Sequence, residues 1–249
     1  LPIYSGPHKV RTRRSSKNSG FIAHLRAAVT EATADVVILA AGDDVSFPDR
    51  SERTLTAFER DPATMAVFSD ISLAGRPAAV ATHAAYIETK AFDMLLGAGG
   101  VGKGATYAYR KVCFSWPTEL DDRFRSEDRV LPLRAAILGR VFHYTAPLIS
   151  YRDHPNNMSN LLAQQGDQAH QSRAHWRMTR DTLKVARQEG RMSICQYLAL
   201  DGVCLVAMCS RLVEVRRALS GSLMPAIVAW GLLLPLRLLQ RLQRRIRFN

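Results

Sequence analysis

The chain has 249 residues, four cysteines and a formal net charge of +12. That length holds one large domain or one domain with an appendage, and cysteines without a CxxC pair argue against a zinc site or a disulfide framework, setting a reducing compartment as the expectation. The basic excess is uneven, with eight Arg against one Glu from Arg211 to Asn249 and a smaller patch at Lys9, Arg11, Arg13, Arg14 and Lys17, so an anionic partner is expected: nucleotide phosphate, nucleic acid or an acidic bilayer.

Taken in chain order, Leu1 to Lys17 contain no strand-plus-loop unit that would open an α/β domain, and an N-terminally truncated domain is the expectation. Phe21, Ile22, Leu25, Ala28, Val29 and Ala32 recur at helical spacing and predict an amphipathic helix over about 20–34. The apolar run Val36 to Ala41 reads as a buried strand, ended by Gly42-Asp43-Asp44. Phe47-Pro48-Asp49 opens a helix with Leu55 and Phe58 on its buried face, and Asp61-Pro62 stops it. Met65 to Leu73 reads as a strand, 88–96 as a helix, Gly97 to Gly104 as a glycine-rich loop and Ala105 to Val112 as extended. Residues 127–138 read as a helix that tolerates Pro132 only in its first turn, and Val141 to Tyr151 as a strand, or a pair interrupted at Pro147. This order is an α/β pattern.

Beyond about Asn160 the pattern is helical only, over 162–190 and 192–219. Leu223 to Leu236 is a 14-residue apolar run holding Pro225 and Pro235. A spanning helix needs about 20 apolar residues, so interfacial or re-entrant placement fits better. The basic amphipathic tail after it is of the type that lies on anionic lipid, the alternative being a helical hairpin packed on its own domain.

The strongest local chemistry is at Asp43-Asp44. Two adjacent carboxylates at the carboxyl end of a strand are costly unless a cation or hydrogen-bond donors satisfy them. Ligands bind at that end of open α/β sheets, and hard oxygen ligands suit Mg²⁺ or Mn²⁺. The residues alone leave a metal ligand and a helix cap equally open. Glu127-Asp128 offers paired acids at a helix start, which serve either as a proton acceptor or as favourable charge at the helix terminus.

Four stretches in order resemble the family-2 glycosyltransferases of GT-A fold. Lys17-Asn18-Ser19-Gly20, the Ala-rich helix, the strand, the Asp43-Asp44 turn and Pro48 resemble the first part of the family pattern. Gly104-Ala105-Thr106-Tyr107-Ala108-Tyr109-Arg110-Lys111 is similar to its glycine-to-arginine strand. Ser126-Glu127-Asp128 with Arg134 and Gly139 resembles its Glu-Asp helix start, and Tyr151-Arg152-Asp153-His154-Pro155-Asn156-Asn157-Met158-Ser159 its Tyr-Arg-x-His-x-x-Asn-x-Ser segment.

The resemblance implies a GT-A-like domain over about 1–159, lacking its N-terminal strand and nucleotide loop, and a basic helical segment over 160–249. It implies inverting transfer from a nucleotide-diphospho-sugar to a hydroxyl acceptor on a glycan or lipid-linked carrier, in cell-surface polysaccharide or glycolipid synthesis. Asp43 then matches the metal-binding Asp of the Asp-x-Asp motif, for Mg²⁺ or Mn²⁺, with Ala41 where the first Asp would fall. Asp128 matches the catalytic base, with Glu127 beside it. Asn18, Gly20, Asp44, Arg152 and His154 match donor or diphosphate positions, and Gly104 and Arg110 the acceptor side. The expected location is the cytoplasm, at the inner face of the membrane.

Competing readings come from other classes. Gly97 to Gly104 nearly spells a phosphate-binding P-loop, but Gly104 replaces the Ser or Thr needed after Lys103, and a helix would have to follow. Tyr107, Tyr109 and Arg110 imitate a base-stacking strand without a complete nucleic-acid motif, so no nucleic-acid partner is expected. A noncatalytic, membrane-bound glycosyltransferase remnant is the third alternative.

Overall fold

The computed structural model describes residues 6–74, 84–95, 102–158, 160 and 168–220. The elements in chain order are α1 (Phe21–Glu31), β1 (Val36–Ile38), β2 (Val45–Ser46), α2 (Arg50–Arg60), β3 (Thr64–Leu73), β4 (Tyr86–Glu88), α3 (Ala91–Leu95), β5 (Ala108–Arg110), α4 (Leu131–Leu138), β6 (Arg140–Tyr151), α5 (Gln168–Gln188) and α6 (Ile194–Ser220). The six strands form one sheet in the order β1-β5-β3-β6-β2, with β4 also pairing β6. It is the α/β architecture with a helical C-terminal segment that the sequence predicts.

Strand alternation decides which helix packs where. Ala66 and Phe68 of β3, with Tyr107 and Tyr109, face Leu25 and Val29 of α1 and Leu131 and Ala135 of α4. Val67 and Ala108 point to the other face, against Ala57 and Phe58 of α2. Leu55 of α2 is 37% exposed, contrary to expectation. Thr54, Ala57 and Phe58 form the buried stripe instead, and Leu55 falls outside it.

β1 also departs from its expected form. The apolar run Val36 to Ala41 yields a strand of only three residues, all half-buried. Among the described residues β1 pairs on one side only, with β5, so it is an edge of the sheet rather than a central strand. A short apolar run does not distinguish these cases.

β6 runs unbroken from Arg140 to Tyr151. Its parallel register with β3 shifts between Ser69↔Tyr144 and Asp70↔Pro147. The irregularity accommodates Pro147, which has no N–H to give a ladder. Likewise, Pro132 lies in the first turn of α4, after a 3-10 turn at Glu127–Arg129.

The helices after residue 160 share the core of the sheet domain. Trp176, Leu183 and Ala186 of α5 and Val203 and Cys204 of α6 pack with Leu95, Trp116 and Leu133. Ala174 and Met178 pack with Ile22, Phe124 and Val130. The boundary near residue 160 therefore marks a change of secondary structure, not a gap between two cores. Among the described residues no helix is long and apolar enough to cross a membrane. The apolar run Leu223 to Leu236 and the basic tail lie outside the described residues.

Candidate active site

The topology gathers the candidate residues at one end of the sheet. β1 is antiparallel to β5, β5 to β3, and β3 is parallel to β6. The carboxyl ends of β1, β3 and β6 therefore meet the amino end of β5. β1 and β2 are opposite edges, so residues 39–44 cross that end from one edge to the other. Asp43 and Asp44 lie on this crossing, Arg152 and His154 just follow β6, and Lys103 and Gly104 just precede β5.

Direct contacts tie these segments together. His154 Nε2 lies 3.0 Å from Asp43 Oδ2. The Arg152 amide donates to Asp44 Oδ1 at 3.0 Å. The Gly104 amide donates to Asp128 Oδ2 at 3.1 Å. Lys103 Nζ stands 4.2 Å from the centre of the Tyr151 ring, a cation–π contact. Contacts and peptide bonds thus lead from Asp128 through Gly104, Lys103, Tyr151 and Arg152 to Asp44. Asn157, buried at 4% exposure, donates to Tyr151 Oη and to the Arg152 carbonyl, both at 2.9 Å, and so holds this segment in place.

A second bridge comes from Arg50, the first residue of α2, which is 4% exposed. Its guanidinium donates to the Leu39 carbonyl at 2.5 Å, the Ala105 carbonyl at 2.6 Å and Ser46 Oγ at 2.8 Å. Burial lowers its pKa, and the Asp44 charge opposes that. One buried cation thus joins the start of the Asp43-Asp44 crossing to the turn before β5. The sequence gives little hint of it: an Arg in an amphipathic helix ordinarily faces water.

The carboxylates differ in setting. Asp44 is raised above the usual carboxylate range by burial, against the pull of the Arg152 amide. Glu127 and Asp128 are both raised, first by burial, and titrate as a pair. Glu127 is 5% exposed, while Asp128 keeps part of its surface in water. Of the pair, Asp128 is the one with surface open to solvent, and its charge acts on Glu127. Gly104 makes the arrangement possible, because a Cβ there would stand 2.2 Å from Glu127 Oε1.

The other sequence candidates lie elsewhere. Asn18 Oδ1 accepts from the Gly20 amide at 3.0 Å, a local turn opening α1. Gly20 adopts φ +87° with the Asp122 carbonyl 3.1 Å from where its Cβ would be. Both residues therefore build that turn, and Gly20 packs near Asp122. Arg110 is a correction. It sits opposite Val36, at the start of β1, because the two strands are antiparallel. There it donates to the Thr64 carbonyl at 2.9 Å and pairs with Asp35. It lies at the far end of the sheet from Gly104. The near P-loop also lacks its helix: a 3-10 turn and then β5 follow Lys103, in keeping with the extended structure expected there.

Residues 2–114 match the sequence profile described as glycosyl transferase family 2. This stretch, less than half of the chain, is similar to that family. The match holds the Asp43-Asp44 turn, Arg50, Lys103 and Gly104, and ends before Asp128. No curated protein matches the chain. Among solved structures, S. aureus TarS 1-349 aligns at TM-score 0.53 and 13% identity, over 88% of this chain and 61% of that one. This likeness shows the GT-A fold, and the chain spans about 61% of the TarS structure's length. TarS in complex with UDP-GlcNAc aligns at TM-score 0.44 and 10% identity, over 79% of this chain and 62% of that one.

Asp43 and His154 are the donors present that could hold a metal. Among the described residues no three His, Cys, Asp or Glu side chains converge on one point. Mg²⁺ is commonly held by one or two carboxylates, with substrate phosphates and water completing the shell. The 3.0 Å separation of Asp43 Oδ2 and His154 Nε2 matches neighbouring ligands on an octahedral ion with bonds of about 2.1 Å.

Proposed function

We propose that this chain transfers a sugar from a nucleotide-diphospho-sugar to a hydroxyl acceptor with inversion at the anomeric carbon. The observation that carries this reading is the placement of the Asp43-Asp44 crossing and Asp128 at one end of the sheet. In open α/β sheets, that end is where strand carboxyl termini open onto a ligand.

Asp43 and His154 would hold Mg²⁺ or Mn²⁺, which when bound supplies positive charge against the departing diphosphate. Arg152 fixes Asp44 through its amide and brings its own charge to the same place. Asp128, aimed by the Gly104 amide, takes the proton of the acceptor hydroxyl. That oxygen attacks the anomeric carbon as the carbon–oxygen bond to the diphosphate breaks, and the diphosphate leaves with the electron pair. The neighbouring Glu127, raised by burial, is neutral at lower pH and so keeps a second negative charge from forming beside Asp128.

The acceptor class in this reading is a glycan or lipid-linked carrier, and the setting is cell-surface polysaccharide or glycolipid synthesis. The basic tail supports work at the cytoplasmic face of an anionic membrane. The test is incubation of the full chain with Mn²⁺, a panel of UDP-, GDP- and dTDP-linked hexoses and lipid-linked or oligosaccharide acceptors. NMR of the product should show an anomeric configuration opposite to the donor's. Retained configuration would overturn the mechanism, and absence of transfer with every pair would favour the noncatalytic remnant.

A further inference from the structure

Lys103 is the one cation of the glycine-rich segment 97–104, and the reaction as described leaves it without a role. Its backbone is fixed from both sides. A Cβ at Gly102 would stand 2.6 Å from Thr106 Oγ1 and 2.8 Å from the Phe68 ring, and one at Gly104 would stand 2.2 Å from Glu127 Oε1. The Lys103 carbonyl accepts from both the amide and the hydroxyl of Thr106, each at 2.8 Å. Its side chain, by contrast, is exposed and rests on the Tyr151 ring. The chain therefore holds the root of this lysine rigidly and leaves its ammonium free to exchange partners.

The surroundings say what partner it suits. Tyr151 precedes Arg152, which holds Asp44, and Gly104 follows Lys103 and holds Asp128. The Lys103 charge acts on both Asp44 and Asp128. A dianionic diphosphate entering beside Asp43 and Asp44 meets two carboxylates and needs cations beyond a single metal ion. Ala41 contributes no ligand with which to hold a second one.

Resting on the transferase reading above, we propose that Lys103 binds the donor's diphosphate, leaving the Tyr151 ring when the donor arrives and balancing charge on the leaving group. The exchange is favourable because the cation–π contact of an exposed ammonium on the half-buried Tyr151 ring is weak beside a charge-assisted bond to phosphate. The resemblance of residues 97–104 to a phosphate loop then has a physical basis in the lysine, although the helix of a P-loop is absent.

The test is calorimetric titration of the full chain with UDP, GDP, dTDP and inorganic pyrophosphate in the presence of Mg²⁺. The proteins are wild type, Lys103→Gln, Lys103→Arg and, as a control, Lys184→Gln on the exposed face of α5. Lys103→Gln should weaken binding of the preferred nucleotide and of pyrophosphate by about tenfold or more, the loss expected for one charge-assisted contact. Lys103→Arg should recover most of that loss, and Lys184→Gln should match wild type. Affinity within twofold of wild type in Lys103→Gln would overturn the assignment while leaving the transferase reading intact. A wild-type chain that takes up no nucleotide and no pyrophosphate would contradict the transferase reading itself, and the role of Lys103 with it.

Discussion

His154 Nε2 stands 3.0 Å from Asp43 Oδ2, across 111 residues of sequence. This pair joins the crossing after β1 to the segment after β6. A site built this way responds to loss of either partner. Asp43→Asn should abolish Mg²⁺- or Mn²⁺-dependent donor binding with the fold intact. His154→Ala should weaken it less, because the carboxylate supplies the charge that holds a hard cation. Calorimetry with and without metal checks both. Equal donor affinity in Asp43→Asn and wild type would reduce the pair to a loop contact.

Gly104 packs tightly against the Glu127 carboxyl. A methyl group there would stand 2.2 Å from Glu127 Oε1, so Gly104→Ala has to displace the buried acid. The expected cost is about 1–3 kcal/mol of stability. Transfer should fall further than stability, because the amide that aims Asp128 moves too. Denaturant unfolding alongside a rate assay checks this, and unchanged stability would contradict the packing described for Glu127.

Burial holds Glu127 at about 8, against an ordinary value of 4.5. A carboxyl raised in the folded state binds its proton more tightly there than in the unfolded chain. Its contribution is therefore greatest below the unfolded value and is lost as pH rises toward the folded one. Stability should fall between roughly pH 4.5 and pH 8. Glu127→Gln should flatten that fall, seen as melting temperatures at pH 5 and pH 8.5 that differ less than in wild type. An undiminished fall in the variant would place its origin elsewhere, Asp128 being the first candidate.

Part of this site was legible in the sequence because its chemistry is local. Adjacent acids after an apolar run marked Asp43-Asp44, and an acid pair before a helix marked Glu127-Asp128. The helix at Phe21–Glu31 followed from its 3.6-residue period. Contacts set by topology were not legible. Arg50 reads as a solvent-facing helix residue until α2 is laid beside Leu39 and Ala105. Arg110 reads as part of the Gly104 strand, yet the antiparallel pairing carries it to the opposite end of the sheet. The apolar run Val36 to Ala41 reads as a buried strand although it forms a half-buried edge, because hydrophobicity records apolar side chains, not the number of strand neighbours.

The tail makes a separate prediction. Residues 223–249 combine a short apolar run with Arg237, Arg241, Arg244, Arg245 and Arg247. Each basic residue near anionic lipid contributes about 1 kcal/mol, and apolar burial adds to it. Removing 223–249 should release the protein from phosphatidylserine-containing liposomes, and high salt should weaken wild-type binding only in part. A wild-type chain that stays in solution with such liposomes at low salt would instead show the tail packed on protein.

In the proposed mechanism Asp128 receives the acceptor proton while the Asp43 side of the site holds the donor. The most direct measurement compares donor affinity and transfer rate in Asp128→Asn with the same two quantities in wild type. The amide keeps the shape and cannot accept the proton, so donor affinity should stay within a few-fold while the rate falls by about 10²–10⁴. Near-normal transfer in Asp128→Asn would contradict the account and place the base elsewhere.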